Sequence, residues 1–240
     1  MKYQLFLFDL DDTLLDFRAS ERLSFARTMA SLGIDIAQDP PGGEALFARY
    51  QRFNAALWAE LEQGRVSKDS LKVERFRRLF EAARIDADPV RAGDVYLEWL
   101  SQTVVLVDGA RAACEILAGQ GEIGIISNGI EHVQQRRIAV SGLADLIGFV
   151  ATSEACGHAK PDVRIFEHAV RMARAFQPAR TVIIGDRLEA DVLGGNRFGI
   201  DSCWFNPGRH ARNGTAVPTY EVTQLAALQA CFAGSPAHAV

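Results

Sequence analysis

Asp9, Asp11 and Asp12 put three carboxylates within four positions, directly after the apolar run Leu5-Phe6-Leu7-Phe8. Two acids separated by one residue project to the same side of an extended chain and repel, so one must be neutralised by a proton or a cation. The arrangement of an apolar run followed by a reactive polar group recurs. Ser127 and Asn128 close Ile123-Gly124-Ile125-Ile126, Asp186 closes Thr181-Val182-Ile183-Ile184-Gly185, and Asp191 lies five positions further on. Lys160 stands before Pro161. Singly, each has an ordinary explanation. Asp12 and Thr13 suit an acidic turn capping a helix, Ser127-Asn128-Gly129 suits a tight turn, Asp186 and Asp191 suit a helix start, and Lys160 suits a surface.

Gathered at one edge, the same groups could carry out phosphoryl transfer. Oxygen-only ligands suit Mg2+, which is held by one or two carboxylates plus substrate phosphate oxygens. Such an ion would keep Asp9 ionised beside acidic neighbours. A carboxylate can attack phosphorus and form an aspartyl-phosphate, dividing one slow hydrolysis into two steps. A lysine and a hydroxyl would stabilise charge on the phosphoryl oxygens. A second carboxylate would protonate the leaving group and then activate water.

For these groups to meet, each apolar run must be a strand of one parallel sheet whose carboxyl edge carries the polar ends, because ligands bind there in such folds. Strands are expected at 5–8, Ile123–Ser127, Ile147–Thr152, Thr181–Gly185 and Asp201–Phe205. Single helices separate the later ones, which implies right-handed crossovers with helices on both faces. Those helices run from Asp108 to about Ala118, through a polar stretch to Ser141-Gly142, from Pro161-Asp162 through Ala173, from Glu189 to Phe198, and near Leu225 to Phe232. Asn206 to Pro218 reads as a loop, and the small-residue tail as frayed.

Residues Phe17 to Thr103 break this alternation with four helical patterns and no strand. In the first, Leu23, Phe25, Ala26, Met29 and Ala30 are the expected apolar positions. Pro40-Pro41-Gly42-Gly43 reads as a loop, Ser67 as an N-cap, and Asp88-Pro89 as a cap with proline at the first helical position. The expected architecture is α/β. A Rossmann-like parallel sheet of about five main strands comes from residues 1–16 and 104–240, with residues 17–103 inserted as a helical bundle cap.

A formal net charge of -4 over 240 residues gives no support for a nucleic-acid or membrane surface. No apolar segment is long enough to span a membrane, and Asp9 interrupts the first hydrophobic run, so no leader pattern opens the chain. Cys114, Cys156, Cys203 and Cys231 lack the paired spacing of zinc or redox sites and read as small hydrophobes of a reducing compartment. The expectation is a cytoplasmic monomer or homodimer acting on a small phosphate ester.

The ordered set Asp9-Leu10-Asp11-Asp12-Thr13, Ser127 after a strand, Ala159-Lys160-Pro161, and Gly185-Asp186 with Asp191 resembles the four motifs of the haloacid dehalogenase-like superfamily, in its phosphatase branch. The likeness spans nearly the whole chain. It implies Asp9 as nucleophile and Asp11 as general acid/base, with Thr13, Ser127, Asn128 and Lys160 at the phosphoryl group. It also implies Mg2+ held by Asp9, the Asp11 backbone carbonyl and Asp186, with Asp191 in support. The dehalogenase branch lacks a carboxylate two positions after its nucleophile, so Asp11 speaks against carbon–halogen hydrolysis. Asp12 receives no role.

Within the superfamily, Asn54-Ala55-Ala56-Leu57-Trp58, the stretch Gly124 to Gly129, and Asp191 to Asn196 look most similar to helical-capped pyrimidine 5′-nucleotidases. That likeness implies hydrolysis of pyrimidine nucleoside monophosphates. Phe17, Asn54 and Trp58 are the candidates to hold base and sugar when a cap closes and excludes water. Phe53, at helical spacing with Leu57, reads as core. The alternatives are a phosphatase or phosphomutase acting on a sugar phosphate or another small metabolite such as phosphoglycolate, or a non-catalytic protein that keeps the fold and binds a ligand.

Overall fold

The computed structural model describes residues 2–212 and 214–233, so the tail read as frayed lies outside the described residues. The chain divides into two compact units, Met1–Phe17 with Val104–Val240, and Arg18–Thr103.

Among the described residues the first unit is built on a sheet of six strands, β1 Leu5–Phe8, β2 Glu122–Ser127, β3 Phe149–Thr152, β4 Thr181–Gly185, β5 Asp201–Phe205 and β6 Tyr220–Val222. All neighbours run parallel, in the order β3-β2-β1-β4-β5-β6. The order reverses around β1: the chain builds outward to β3, then crosses back to lay β4 on the other side of β1. That reversal is the switch point at which α/β sheets open a crevice.

Burial on both faces explains why the strands read as unbroken apolar runs. Phe6, Phe8, Ile123, Ile125, Val182 and Ile184 pack on one face, against Ala113, Cys114 and Leu117 of α5 (Ala110–Ala118) and Leu228 and Phe232 of α10 (Leu228–Ala233). Leu5, Leu7, Ile126, Ala151 and Ile183 face the opposite way, against Ile165, Phe166 and Ala169 of α8 (Val163–Met172). The four cysteines are unpaired.

Several local expectations need correction. The sixth strand, β6, was not anticipated, because Tyr220-Glu221-Val222 is too short to show a period and gains its identity only by pairing with Cys203 to Phe205. Asp108 does not open α5; Gly109 does, with a left-handed φ of 75° and no side-chain cap. After β4 the chain does not enter an α-helix at Glu189 but makes a π-helical turn, Leu188–Val192, before α9 (Leu193–Phe198). The third strand starts at Phe149 rather than Ile147.

The second unit comprises α1 (Phe17–Ser31, from Arg18 onward), α2 (Pro40–Glu62), α3 (Lys68–Ala83) and α4 (Pro89–Gln102). Pro40-Pro41-Gly42-Gly43 is not a loop but the first turn of α2. Asp39 caps it by accepting from the Gly42 amide at 3.2 Å, and prolines cost nothing where the amides would be unpaired anyway. Ser67 and Asp88 cap α3 and α4. Phe25 and Met29 of α1 face inward as expected, but Leu23 and Ala30 are exposed, and the buried stripe is completed by Ser20, Glu21, Ser24 and Thr28. Its buried hydroxyls satisfy themselves on the preceding turn, Ser24 to the Ser20 carbonyl and Thr28 to the Ser24 carbonyl, each at 2.7 Å.

Phe25, Phe47, Tyr50, Phe76 and Tyr96 form a contiguous aromatic core in this unit. Beside it Asn54 donates to Glu21 at 3.0 Å, and the buried guanidinium of Arg75 lies over the Tyr96 ring, 4.4 Å from its centroid. No helix among the described residues is long and apolar enough to cross a membrane.

Leu7 is wholly buried in the central strand, so Leu7→Ala should lower unfolding free energy by about 3 kcal/mol, read as a reduced urea midpoint at unchanged slope.

Candidate active site

Asp9 is the first residue beyond β1, and its amide donates to the Ile184 carbonyl of β4 at 2.9 Å. The chain does not stay extended after it. The Leu10 carbonyl accepts from both Leu14 and Leu15, and Asp12 takes a left-handed φ of 58°. Asp9 and Asp11 meet different side chains, Asp9 the Lys160 ammonium and Asp11 the Gln134 and Arg137 donors. Asp12 accepts from the Phe17 amide at 3.0 Å, a cap on the first residue of α1.

The carboxylates that crowd Asp9 come from the end of β4. Asp9, Asp186 and Asp191 each offer one oxygen, and the three lie within 4.8 Å of one another. The π-helical turn makes this possible by swinging Asp191 back toward its own strand, where its Oδ2 accepts from the Arg187 amide at 3.0 Å. Gly185 leaves the room: a Cβ there would sit 2.3 Å from the Asp191 carboxyl carbon.

Lys160 enters from the loop ahead of α8 with its side chain almost fully buried. Its ammonium reaches Asp9, Asp191 at 2.7 Å, and the Ile126 carbonyl at 2.7 Å. The Asn128 carboxamide fastens the lysine's own backbone, accepting from its amide at 2.8 Å and donating to its carbonyl at 3.1 Å. Asn128 thus acts on the lysine loop. Ser127 is buried and accepts from Gly129 N at 3.1 Å and Gln134 Nε2 at 2.9 Å, which leaves its own hydrogen to donate. Thr13 is fully buried, and its hydroxyl has no hydrogen-bond partner among the described residues.

Asp11 turns to α6 (Glu131–Val140), where it accepts from Gln134 at 2.6 Å and from Arg137. Neither Gln134 nor Arg137 was singled out from the sequence. A signal existed: both continue the helical stripe of Val133 and Ile138 and are buried with it. Phe17 is half-buried, with the Arg137 guanidinium 5.7 Å above its ring. In the helical unit, Asn54 is buried in its polar network and Trp58 is half-buried.

Burial first, then repulsion from Asp191 and Asp11, outweighs the pull of Lys160 and pushes the Asp9 carboxyl up to about 7. For Asp186, burial followed by repulsion from Asp9, Asp191 and Asp12 gives about 9. Burial works against the Lys160 ammonium, but Asp191 and Asp9 prevail and hold its pKa above the usual lysine value. Three carboxylates against one ammonium leave a deficit that a divalent cation matches. Asp186 Oδ1 is buried and has no hydrogen-bond partner among the described residues. This all-oxygen donor set fits a hard ion of the Mg2+ class.

Residues 3–199 match the family described as haloacid dehalogenase-like hydrolase. The pyrimidine 5′-nucleotidase PynA of Streptococcus pneumoniae is 36% identical over 97% of this chain and 96% of its own. The pyrimidine 5′-nucleotidase YjjG of Escherichia coli is 28% identical over 95% and 97%. The crystal structure of the HAD-hydrolase YfnB of Bacillus subtilis bound to magnesium superposes with a TM-score of 0.85 at 32% identity, covering 96% of this chain and 98% of that one.

The raised carboxyls set a pH dependence. The folded protein without metal holds protons on Asp9 and Asp186 between the ordinary 3.8 and about 7 or 9, where the unfolded chain has released them. Metal-free stability should therefore fall as pH rises through that window. A divalent cation held by these carboxylates would displace those protons, so any stabilising shift in Tm on adding Mg2+ should be larger at pH 8 than at pH 5.5. Thermal unfolding with EDTA or Mg2+ at both pH values checks this. Equal shifts, or none, would contradict it.

Proposed function

We propose, because the chain belongs to the haloacid dehalogenase-like hydrolase family, that it is a Mg2+-dependent phosphomonoesterase acting on nucleoside 5′-monophosphates, pyrimidine ones foremost. The observation that carries the reading is the group of Asp9, Asp186 and Asp191 at the ends of β1 and β4, with Lys160 bridging Asp9 and Asp191. The substrate class draws its support from the pyrimidine 5′-nucleotidases PynA and YjjG.

In this reading an Asp9 oxygen attacks phosphorus as the P–O ester bond breaks. The electron pair leaves on the ester oxygen, which takes a proton from Asp11, giving the free nucleoside and a phosphorylated Asp9. Water then attacks that phosphorus and passes a proton to Asp11, so orthophosphate departs and Asp9 is restored. Lys160 fixes the attacking carboxylate, and its charge offsets that of the incoming phosphoryl group. The Ser127 and Thr13 hydroxyls donate to phosphoryl oxygens, and Asn128 acts by holding the Lys160 backbone. Asp9, the Asp11 carbonyl and Asp186, with Asp191 behind them, would hold Mg2+, which when bound supplies charge neutralisation for the nucleophile and the phosphoryl oxygens.

Residues 17–103 are read as a helical cap domain. Within that unit Trp58 is half-buried and is the candidate to meet a base, while Asn54 shapes the unit from within through Glu21. The protein is read as cytoplasmic, a monomer or homodimer.

Asp9→Asn should lower kcat by roughly 10³-fold or more while leaving thermal unfolding cooperative. Near-wild-type turnover would remove Asp9 from the chemistry. A panel of pyrimidine and purine nucleotides, sugar phosphates and phosphoglycolate, with Mg2+ and with EDTA, should give the highest kcat/KM for pyrimidine monophosphates and none in EDTA. A better value on a sugar phosphate would overturn the substrate class.

A further inference from the structure

Helix α6 is polar by composition, yet its inward stripe of Val133, Gln134, Arg137 and Ile138 is buried. The two polar members form a closed ring with Asp11. Gln134 Nε2 gives one hydrogen to Ser127 Oγ at 2.9 Å and the other to Asp11 Oδ2 at 2.6 Å. Arg137 NH1 gives one hydrogen to Asp11 Oδ1 and the other to Gln134 Oε1 at 2.9 Å. Both oxygens of Asp11 are engaged, as are both N–H groups and the oxygen of the Gln134 carboxamide. Rotation of the Asp11 carboxyl is therefore fixed from two directions, at a spacing from Ser127 set by one planar amide.

Packing alone does not account for this ring. Arg137 is 1% exposed, and its Nε and NH2 have no hydrogen-bond partner among the described residues. Burying a guanidinium so incompletely paired is costly, and an apolar side chain of similar volume would fill the space without that cost. Gly129 makes room for the arrangement, since a Cβ there would lie 2.4 Å from Gln134 Nε2.

We infer that Gln134 and Arg137 are positioning residues that hold Asp11 for the proton step at the leaving-group oxygen. Through Gln134 that step is tied to the phosphate-side hydroxyl of Ser127. The inference rests on the role proposed above for Asp11. In the step concerned, the ester P–O bond breaks, its electron pair goes to the leaving oxygen, and that oxygen takes the Asp11 proton. A misplaced Asp11 penalises poor leaving groups, which need the proton, and spares good ones, which do not.

The experiment measures kcat/KM for the full chain with Mg2+ over aryl monophosphates of similar size and graded leaving-group acidity. This quantity covers steps up to phosphorylation of Asp9. Arg137→Met and Gln134→Leu should each lose about 10- to 100-fold on the poorest leaving group and about threefold or less on p-nitrophenyl phosphate. Arg137→Lys, which keeps a charge and a donor, should restore most of the difference. A parallel loss across the series would assign the pair a merely structural part and overturn the inference. Gln134→Leu leaves the Arg137–Asp11 ion pair intact and carries the test alone if Arg137→Met does not fold. Asp11→Asn is the control. If it steepens the series while the two positioning variants stay parallel, only the inference falls. If it leaves the series unchanged, the proposed role of Asp11 falls, and the inference with it.

Discussion

The buried Lys160 ammonium donates to Asp9 and the Ile126 carbonyl and forms an ion pair with Asp191 at 2.7 Å. A buried charge is tolerated only when it is paired and hydrogen-bonded, so this one side chain dictates much of its surroundings. Asp191 must come back to the strand that precedes it, which requires the π-helical turn and a residue without Cβ at position 185. The lysine's backbone must be anchored, which is the task of Asn128. Asp9 must stand between the ends of β2 and β4, which the strand order secures by placing β1 between them.

One lysine does not balance the acids around it. Burial and mutual repulsion raise the Asp9 and Asp186 carboxyls, so the site opposes folding near neutral pH unless a cation enters. A packed α/β core can carry such a local deficit, because β1, β2 and β4 bury apolar side chains on both faces. Strain of this kind belongs at a functional edge: the same crowding that weakens the fold prepares the donors for a hard ion.

Much of the core was legible because period and chemistry coincide there. Apolar runs ending in Asp9, Ser127 and Asp186 announce strands with polar tips, and tertiary pairing only confirms their order. What stayed hidden depended on partners that sequence spacing does not display. Tyr220-Glu221-Val222 is a strand only because β5 offers an edge. Pro40-Pro41-Gly42-Gly43 carries loop residues, but Asp39 supplies the cap that turns them into a helix start. Gln134 and Arg137 are polar residues on a polar helix, and their burial is explained only by the Asp11 carboxylate opposite. Asp9 and Asp11 stand two positions apart, yet the partner each takes, Lys160 for one and Gln134 with Arg137 for the other, comes from far along the chain.

The account turns on Asp9 as the carboxylate that accepts phosphorus beside a cation held with Asp186. The most direct test is a crystal structure with Mg2+ and beryllium trifluoride, a stand-in for a phosphoryl group on a carboxylate. The account predicts beryllium bonded to an Asp9 oxygen, with the ion bound by Asp9 and Asp186. Beryllium on another side chain, or an ion that leaves Asp186 untouched, would contradict it.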